Sequence, residues 1–146
     1  MVFILLEAVS DRFNFTVMNN SDRIRVMLVD DNEMVRLSMA VFLETCDDVE
    51  LVAEAGDGQI AIELSGKVQP DVILMDLVMP GVDGVTATRI IHQQQPETRI
   101  IVLSSSVEPS LIDGALEAGA VGYLHKSAKI DDLLEAILDD SDERIA

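Results

Sequence analysis

The fold is indicated by the stretch RVMLVDD, residues 25–31, in which an apolar run ends in two adjacent acids. Three other apolar runs are each followed within two residues by a polar side chain: residues 72–75 by Asp76, residues 100–103 by Ser104, and residues 122–124 by Lys126. Continuous apolar runs are typical of strands buried on both faces of a parallel sheet. Because such sheets bind ligands beyond the carboxyl ends of their strands, these polar residues are predicted to share one site.

The chain alternates between strand-like and helix-like segments five times. Strands are predicted at about 23–29, 49–55, 72–75, 99–103 and 120–124, and helices at about 33–45, 59–65, 85–94, 109–119 and from 130 onward. Proline and glycine mark most of the ends. This order predicts an α/β domain, with a parallel sheet covered by helices on both faces and joined by right-handed crossovers.

Residues 23–140 hold this pattern and are predicted to form one domain of the 146-residue chain. Residues 1–22 lie outside it, although they contain three of the four phenylalanines, and they are predicted to be a poorly ordered extension. The alternative is an edge strand at 13–17 or a contact with a partner. Residues 141–146 are interpreted as the start of a linker or tail.

Composition excludes several functional classes. A net charge of −17 repels phosphate backbones, so the chain is not expected to bind nucleic acid by itself. No stretch approaches the ~20 apolar residues of a membrane span, and the apolar start lacks the basic region of a signal peptide. A lone Cys46 cannot form an internal disulfide, which fits a cytoplasmic location. Two histidines and one cysteine do not make a zinc site.

The polar residues lie in a sequence context that resembles the receiver domain of bacterial response regulators. The resemblance covers about residues 24–138 and rests on four stretches: VDDN at 29–32, MDLVMPGVDG at 75–84, VLS at 102–104 and AGAVGYLHK at 118–126. The last stretch is most similar to the NarL/LuxR-type branch, whose members usually carry a helix-turn-helix output domain. The resemblance implies a flavodoxin-like, doubly wound (βα)5 three-layer sandwich with strand order 2-1-3-4-5.

In that strand order, Asp30, Asp31 and Asp76 crowd together, and a hard divalent cation with oxygen ligands, Mg²⁺, would relieve their repulsion. The resemblance implies ligation by Asp31, Asp76 and the backbone carbonyl of Val78, with Asp30 acting through water. Asp76 would be the phosphoacceptor, since a carboxylate can form a covalent aspartyl phosphate.

The resemblance also assigns roles to three residues beyond the acids. Lys126 and Ser104 would share the negative charge of the transferring phosphoryl group. Ser104 and Tyr123 would form a switch that changes the face built from helix four, strand five and helix five. Each residue also has an ordinary structural alternative. Asp31 is a candidate helix N-cap, Ser104 a turn residue, Lys126 a surface lysine and Tyr123 a partly buried strand residue.

Two further expectations concern the neighbours of Lys126. Many receivers have a cis proline after this lysine, but here Ser127 follows, and a trans peptide is expected because a cis bond without proline costs about 2.5–4 kcal/mol. His92 and His125 are predicted to be exposed residues without a role.

The function predicted is that of a phosphoacceptor which takes a phosphoryl group from a sensor histidine kinase and changes shape to regulate an output domain or a downstream protein. It would not be an enzyme beyond its own phosphorylation and dephosphorylation. An interaction-only pseudo-receiver is the first alternative, although such proteins usually lose an acid or the lysine. A haloacid-dehalogenase-type phosphatase would need an acid where Val78 stands, and a flavodoxin would need a phosphate loop where Asp30 and Asp31 stand. The kinase, the stimulus and the oligomeric state, with a homodimer as one option, are left open.

Overall fold

The computed structural model describes residues 22–105 and 108–139. Its five strands are β1 (Ile24–Val29), β2 (Val49–Ala55), β3 (Val72–Met75), β4 (Arg99–Ser104) and β5 (Gly122–His125). Its five helices are α1 (Glu33–Glu44), α2 (Gly58–Val68), α3 (Gly84–Gln94), α4 (Pro109–Ala118) and α5 (Ile130–Leu138). The predicted N-terminal extension, its alternative edge strand and the predicted C-terminal linker lie outside the described residues, apart from Asp22.

The five strands form one parallel sheet in the order β2-β1-β3-β4-β5, which confirms the predicted fold class. Alternate residues of each strand point to opposite faces, so the sheet has two apolar cores. Met27, Ile73 and Ile100 pack on the side of α2, α3 and α4. Leu28 and Leu74 pack on the side of α1 and α5. Helices therefore cover both faces and leave the ends of the strands for function.

Three helices begin with a polar side chain that accepts hydrogen bonds from their first turn. Asn32 caps α1 by accepting from the backbone of Met34 at 2.9 Å and of Val35 at 3.1 Å. Asp57 and Asp83 cap α2 and α3 in the same way. The alternative role of Asp31 as a helix cap is therefore wrong, and its carboxylate is exposed.

Two predicted boundaries are wrong by two or three residues. Helix α2 continues past Gly66 to Val68, because Gly66 is exposed and helical, and it ends where Gln69 adopts a left-handed conformation before Pro70. Strand β5 begins at Gly122 rather than at 120. The backbone N–H of Ala120 is used in closing α4, since it donates to the carbonyl of Ala115 at 3.0 Å. Among the described helices, none is long and apolar enough to cross a membrane.

Candidate functional site

Strands β1 and β3 bring the three acids together at their carboxyl ends. Val29 and Met75 are register partners, and the backbone N–H of Asp76 donates to the carbonyl of Val29 at 2.9 Å. Carboxylate oxygens of Asp30, Asp31 and Asp76 all lie within 4.8 Å of one another. Asp30 and Asp76 are only 6% and 5% exposed, whereas Asp31 faces solvent. The predicted acidic cluster is thus assembled, with one open side.

The ammonium group of Lys126 reaches this cluster from the far side of β4. The backbone N–H of Lys126 donates to the carbonyl of Ser104 at 2.9 Å, which fixes the chain just after β5. Its Nζ lies 2.6 Å from Asp30 Oδ2 and 3.6 Å from Asp76 Oδ2. In this arrangement the lysine is bound more closely to Asp30 than to the predicted phosphoacceptor.

Burial and the attraction between Lys126 and the acids have opposite effects on the pKa values of Asp76 and Lys126. Burial raises the pKa of Asp76 above its ordinary value, and the charges of Asp30 and Asp31 add to this effect. The ammonium of Lys126 and a hydrogen bond from the backbone N–H of Val78 offset only part of it. Burial alone would lower the pKa of Lys126, but its bonds to Asp30 and Asp76 outweigh burial and raise it. The site therefore holds more negative charge than its lysine neutralises.

Ser104 and Tyr123 lie on the two strands next to this cluster. Ser104 is the last residue of β4 and is 1% exposed, so it is buried beside the acids rather than in an exposed turn. Tyr123 pairs in register with Val102, and its half-buried ring packs against the core on the α4 side. The structure places both residues as the sequence predicted, and their role as a switch stays a prediction.

Three groups at the site were not predicted from the sequence. Arg36 donates to the carbonyl of Asp30 at 2.6 Å and lies 3.6 Å from Glu54. The backbone N–H of Asn32 donates to Asp30 Oδ1 at 2.9 Å. The backbone N–H of Val78 supports Asp76. The capping rule points to Asn32, but no local pattern reveals the contact that Arg36 makes one helical turn later.

The loop after Asp76 is packed so closely that it admits only glycine at two positions. A Cβ on Gly84 would lie 2.1 Å from the carbonyl oxygen of Asp76, and one on Gly58 would lie 2.2 Å from that of Val82. Atoms cannot approach this closely, so both backbones need the absence of a side chain. The first turns of α2 and α3 thereby fix the loop that carries Val78.

The prediction that both histidines are exposed is wrong, since each is half-buried. His92 is half-buried beneath Gly119, where an added Cβ would lie 2.4 Å from its ring. His125 is also half-buried, and both of its ring nitrogens lie within hydrogen-bond distance of neighbouring loops. The peptide after Lys126 is trans, as predicted, since the described residues contain no cis peptide bond.

The donor set of the acidic cluster fits a hard divalent cation. Three carboxylates converge within 4.8 Å, one face is exposed, and burial, with a smaller effect from the charges of Asp30 and Asp31, raises the pKa of Asp76. Mg²⁺ and Ca²⁺ both take oxygen ligands, and Mg²⁺ is the one usually bound by one or two carboxylates together with phosphate oxygens and water. The cluster can therefore hold a metal next to a phosphoryl group.

Comparison with known proteins agrees with this geometry. Residues 26–138 match the family model of the response regulator receiver domain. The transcriptional regulatory protein LiaR of Bacillus subtilis is 46% identical over 114 residues, which are 78% of this chain and 54% of LiaR. The chain thus spans about half the length of the curated relatives it matches.

Solved structures give the same result. The receiver domain of the putative response regulator NarL from Mycobacterium tuberculosis is similar with a TM-score of 0.77 and 34% identity, covering 81% of this chain and 95% of that one. A LuxR-family response regulator from Aurantimonas sp. SI85-9A1 gives a TM-score of 0.74 and 37% identity, covering 79% of this chain and 82% of that one. The similarity therefore extends over nearly the whole described part of the chain.

Proposed function

The chain belongs to the family of response regulator receiver domains, in its NarL/LuxR-type branch, and we propose that it accepts a phosphoryl group on Asp76. The observation that carries this proposal is the convergence of a buried carboxylate, two further acids and a lysine at the ends of three strands. The phosphoryl donor would be a phosphohistidine of a sensor histidine kinase.

In the proposed reaction, an ionised carboxylate oxygen of Asp76 attacks the phosphorus atom. A new P–O bond forms while the P–N bond to the donor histidine breaks, and the leaving imidazole keeps the electron pair and takes up a proton. The surroundings of Asp76 suit this step. Its pKa is raised by burial and by neighbouring acids, so its ionised form is held in a site that gains from added positive charge.

Asp31, Asp76 and the carbonyl of Val78 would hold Mg²⁺, with Asp30 acting through water. Bound there, the ion supplies positive charge to the phosphoryl oxygens and screens the carboxylates from one another. The exposed position of Asp31 suits an ion that enters from solvent. The hydrogen bond from Asn32 holds the Asp30 carboxylate in place.

Lys126 and Ser104 would contact the phosphoryl group once it is attached. The Nζ of Lys126 lies 3.6 Å from Asp76 Oδ2, near enough to pair with a new negative charge on that carboxylate. We propose that this shift, from Asp30 toward the phosphoryl group, is the first local response. The buried hydroxyl of Ser104 would then donate to a phosphoryl oxygen.

The signal would pass on through the face of α4, β5 and α5, because Ser104 and Tyr123 lie beneath it. Movement of Ser104 toward the phosphoryl group would leave space that the Tyr123 ring can enter. The output would be a helix-turn-helix domain or a separate protein that regulates transcription, in the cytoplasm, with a homodimer as one assembly. The chain would turn over no substrate beyond its own phosphoryl group.

An interaction-only pseudo-receiver is the alternative that the site argues against. Such a protein needs no reactive constellation, yet all five predicted groups are present and four of them lie within 5 Å of a neighbour in the cluster. A phosphatase would need a second acid at Val78, whose side chain is apolar and 60% exposed.

Incubation with acetyl phosphate, with and without Mg²⁺, tests the proposal by mass spectrometry. We expect one added phosphoryl group per chain, on Asp76, only when Mg²⁺ is present. Absence of any adduct would favour the pseudo-receiver, and hydrolysis of a phosphate monoester supplied in place of acetyl phosphate would favour a phosphatase.

A further inference from the structure

His125 lies between the turn that contains Lys126 and the loop that follows Ser104. It is the last residue of β5 and the register partner of Ser104 on β4. Its Nε2 lies 3.2 Å from the carbonyl oxygen of Ser105, the residue after Ser104. Its Nδ1 lies 2.8 Å from Ser127 Oγ and accepts the backbone N–H of Ser127 at 3.1 Å. One imidazole thus joins the residues that follow each of the two phosphoryl-contacting groups.

The hydrogen bonds of the ring favour one tautomer of the neutral imidazole. Because the N–H of Ser127 can only donate, Nδ1 must be the acceptor nitrogen and carries no proton. The proton of the neutral ring is therefore on Nε2, where it can be donated to the carbonyl of Ser105. A ring in the opposite tautomer would lose the bonds to the Ser127 N–H and to the Ser105 carbonyl and would keep only a bond to Ser127 Oγ.

The same residue closes the turn that holds Lys126. The backbone N–H of Ala128 donates to the carbonyl of His125 at 2.8 Å, so residues 125–128 form a β-turn with Lys126 and Ser127 at its centre. The backbone carbonyl and the ring of His125 both bind this turn, so they restrict the direction in which the Lys126 side chain projects from it. This direction allows Nζ of Lys126 to reach both Asp30 and Asp76.

This arrangement stabilises the loop at Ser127, the position where many receivers have a cis proline. A proline there would have no N–H and would rigidify the loop by its ring. Ser127 has an N–H and a flexible backbone, and His125 supplies the acceptor for that N–H. The loop is thus ordered by a side chain rather than by a fixed peptide.

We propose that His125 is a positioning residue that couples the Lys126 turn to the loop after Ser104, so that both phosphoryl-contacting groups are held in register. This inference rests on the proposed phosphorylation of Asp76. It assigns to His125 no contact with the phosphoryl group and no proton transfer. Its effect is on geometry, and a displacement of about 1 Å can cost up to roughly 100-fold in rate.

The test measures the phosphorylation rate constant with saturating acetyl phosphate and the Mg²⁺ dissociation constant, at one pH, for His125→Phe and His125→Gln. The matched control is His92→Phe, the same change at the chain's other histidine, on the opposite end of the sheet. We expect His125→Phe to lower the rate constant roughly tenfold and to leave Mg²⁺ affinity within twofold. His125→Gln should recover part of the loss, because its amide nitrogen can still reach the carbonyl of Ser105.

A second measurement does not depend on any variant of His125. Long-range ¹H–¹⁵N NMR of His92→Phe, in which His125 is the remaining imidazole, should show the proton of the neutral ring on Nε2 when recorded at a pH at which the ring is neutral. An Nδ1-protonated ring, or an unchanged rate constant in His125→Phe, would overturn the inference while leaving Asp76 labelling intact. If the wild-type chain takes no phosphoryl group at all, the proposed function fails first and the role of His125 fails with it.

Discussion

The two ends of the sheet carry similar side chains but use them differently. At the amino ends of the strands, four polar side chains are bound to backbone: Arg25 donates to Gln69 O at 2.7 Å, Asp71 accepts from Arg25 N at 2.9 Å, Thr98 donates to Pro70 O at 3.0 Å, and Arg99 donates to Ile137 O at 2.6 Å. At the carboxyl ends, charged side chains face one another, with three carboxylates near one ammonium. The first arrangement ties elements together, and the second leaves a charge imbalance that a ligand can relieve.

A search for the site by cavity volume would favour the amino ends of the strands. A cleft of about 550 Å³ lies at the amino ends, lined in part by Asp71, His92 and Arg99. Two of its charged residues, Asp71 and Arg99, are engaged by neighbouring backbone, and a third, Glu97, is exposed. In this fold, unbalanced charge at the strand ends indicates the proposed phosphoacceptor site, whereas cavity volume does not.

The largest expected effect is a difference in phosphorylation between a variant at the carboxyl ends of the strands and one at the amino ends. Asp76→Asn should abolish phosphorylation by acetyl phosphate, because an amide oxygen is a poor nucleophile. Asp71→Asn, a matched loss of one carboxylate at the amino end, should be labelled like the wild type. Intact-mass measurement reads both results. A full adduct on the Asp76 variant would remove Asp76 as the phosphoacceptor.

The second effect concerns metal affinity. Asp31→Ala should weaken Mg²⁺ binding by roughly tenfold or more, since it removes a charged ligand from the cluster. Titration calorimetry on Asp31→Ala and Asp71→Ala gives the comparison, with no phosphoryl donor present. Equal affinity in the two variants would place Asp31 outside the metal site.

Substitutions at the two ends of the sheet are expected to change the free energy of unfolding in opposite directions. The pKa of Asp76 is raised in the fold, so its ionised form opposes folding at all pH values above that folded pKa. Without Mg²⁺ at neutral pH, Asp76→Asn should therefore raise the free energy of unfolding. As the pH falls through the folded pKa, wild-type Asp76 gains a proton and the advantage of the variant should disappear.

Arg99→Ala should instead lower the free energy of unfolding, by about 2 kcal/mol, because it removes charge-assisted bonds to the end of α5. Urea denaturation over a pH series measures both variants. If Asp76→Asn is less stable than the wild type at neutral pH, Lys126 stabilises the ionised carboxylate of Asp76 by more than burial and the neighbouring acids destabilise it, and the expectation is wrong.

The smallest effect is conformational and tests how far the carboxyl end communicates. Beryllofluoride with Mg²⁺ should perturb amide resonances near residues 108–126, beyond contact distance of the acids, through the new bond to Ser104. Ser104→Ala should keep labelling but reduce those distant shifts. Shifts confined to the surroundings of Asp30, Asp76 and Lys126, or a full response in the variant, would contradict the proposed coupling to Tyr123.

The parallel sheet and the polar residues at its strand ends could be predicted from the periodicity of the sequence, whereas the strand order, and with it the gathering of the acids, could be predicted only from the resemblance to receiver domains. The runs 25–29 and 72–75 are apolar throughout, and parallel neighbours must place Asp30 and Asp76 side by side. The start of β5 could not, because Ala120 and Val121 are apolar like a strand, yet Ala120 closes α4.

The details of the site were less predictable for a related reason. The contact of Arg36 with the Asp30 carbonyl joins a helix to a strand end, and no spacing rule encodes it. Likewise, the contact between His125 and the loop after Ser104 is a hydrogen bond between residues 20 apart in sequence. Local pattern predicts which residues meet at a sheet end, whereas tertiary hydrogen bonds decide their directions.

The close approach of Gly84 to Asp76 has a consequence for sequence variation. A single methyl group at position 84 would have to displace the Asp76 carbonyl, which lies 2.1 Å from where that methyl would stand, and with it the hydrogen bond from Asp76 to Val29. Gly66, with nothing within 4 Å, has ample room for the same methyl. In a saturation mutagenesis experiment, Gly84 would therefore tolerate as little change as the proposed nucleophile Asp76, and its intolerance would report backbone contact rather than chemistry.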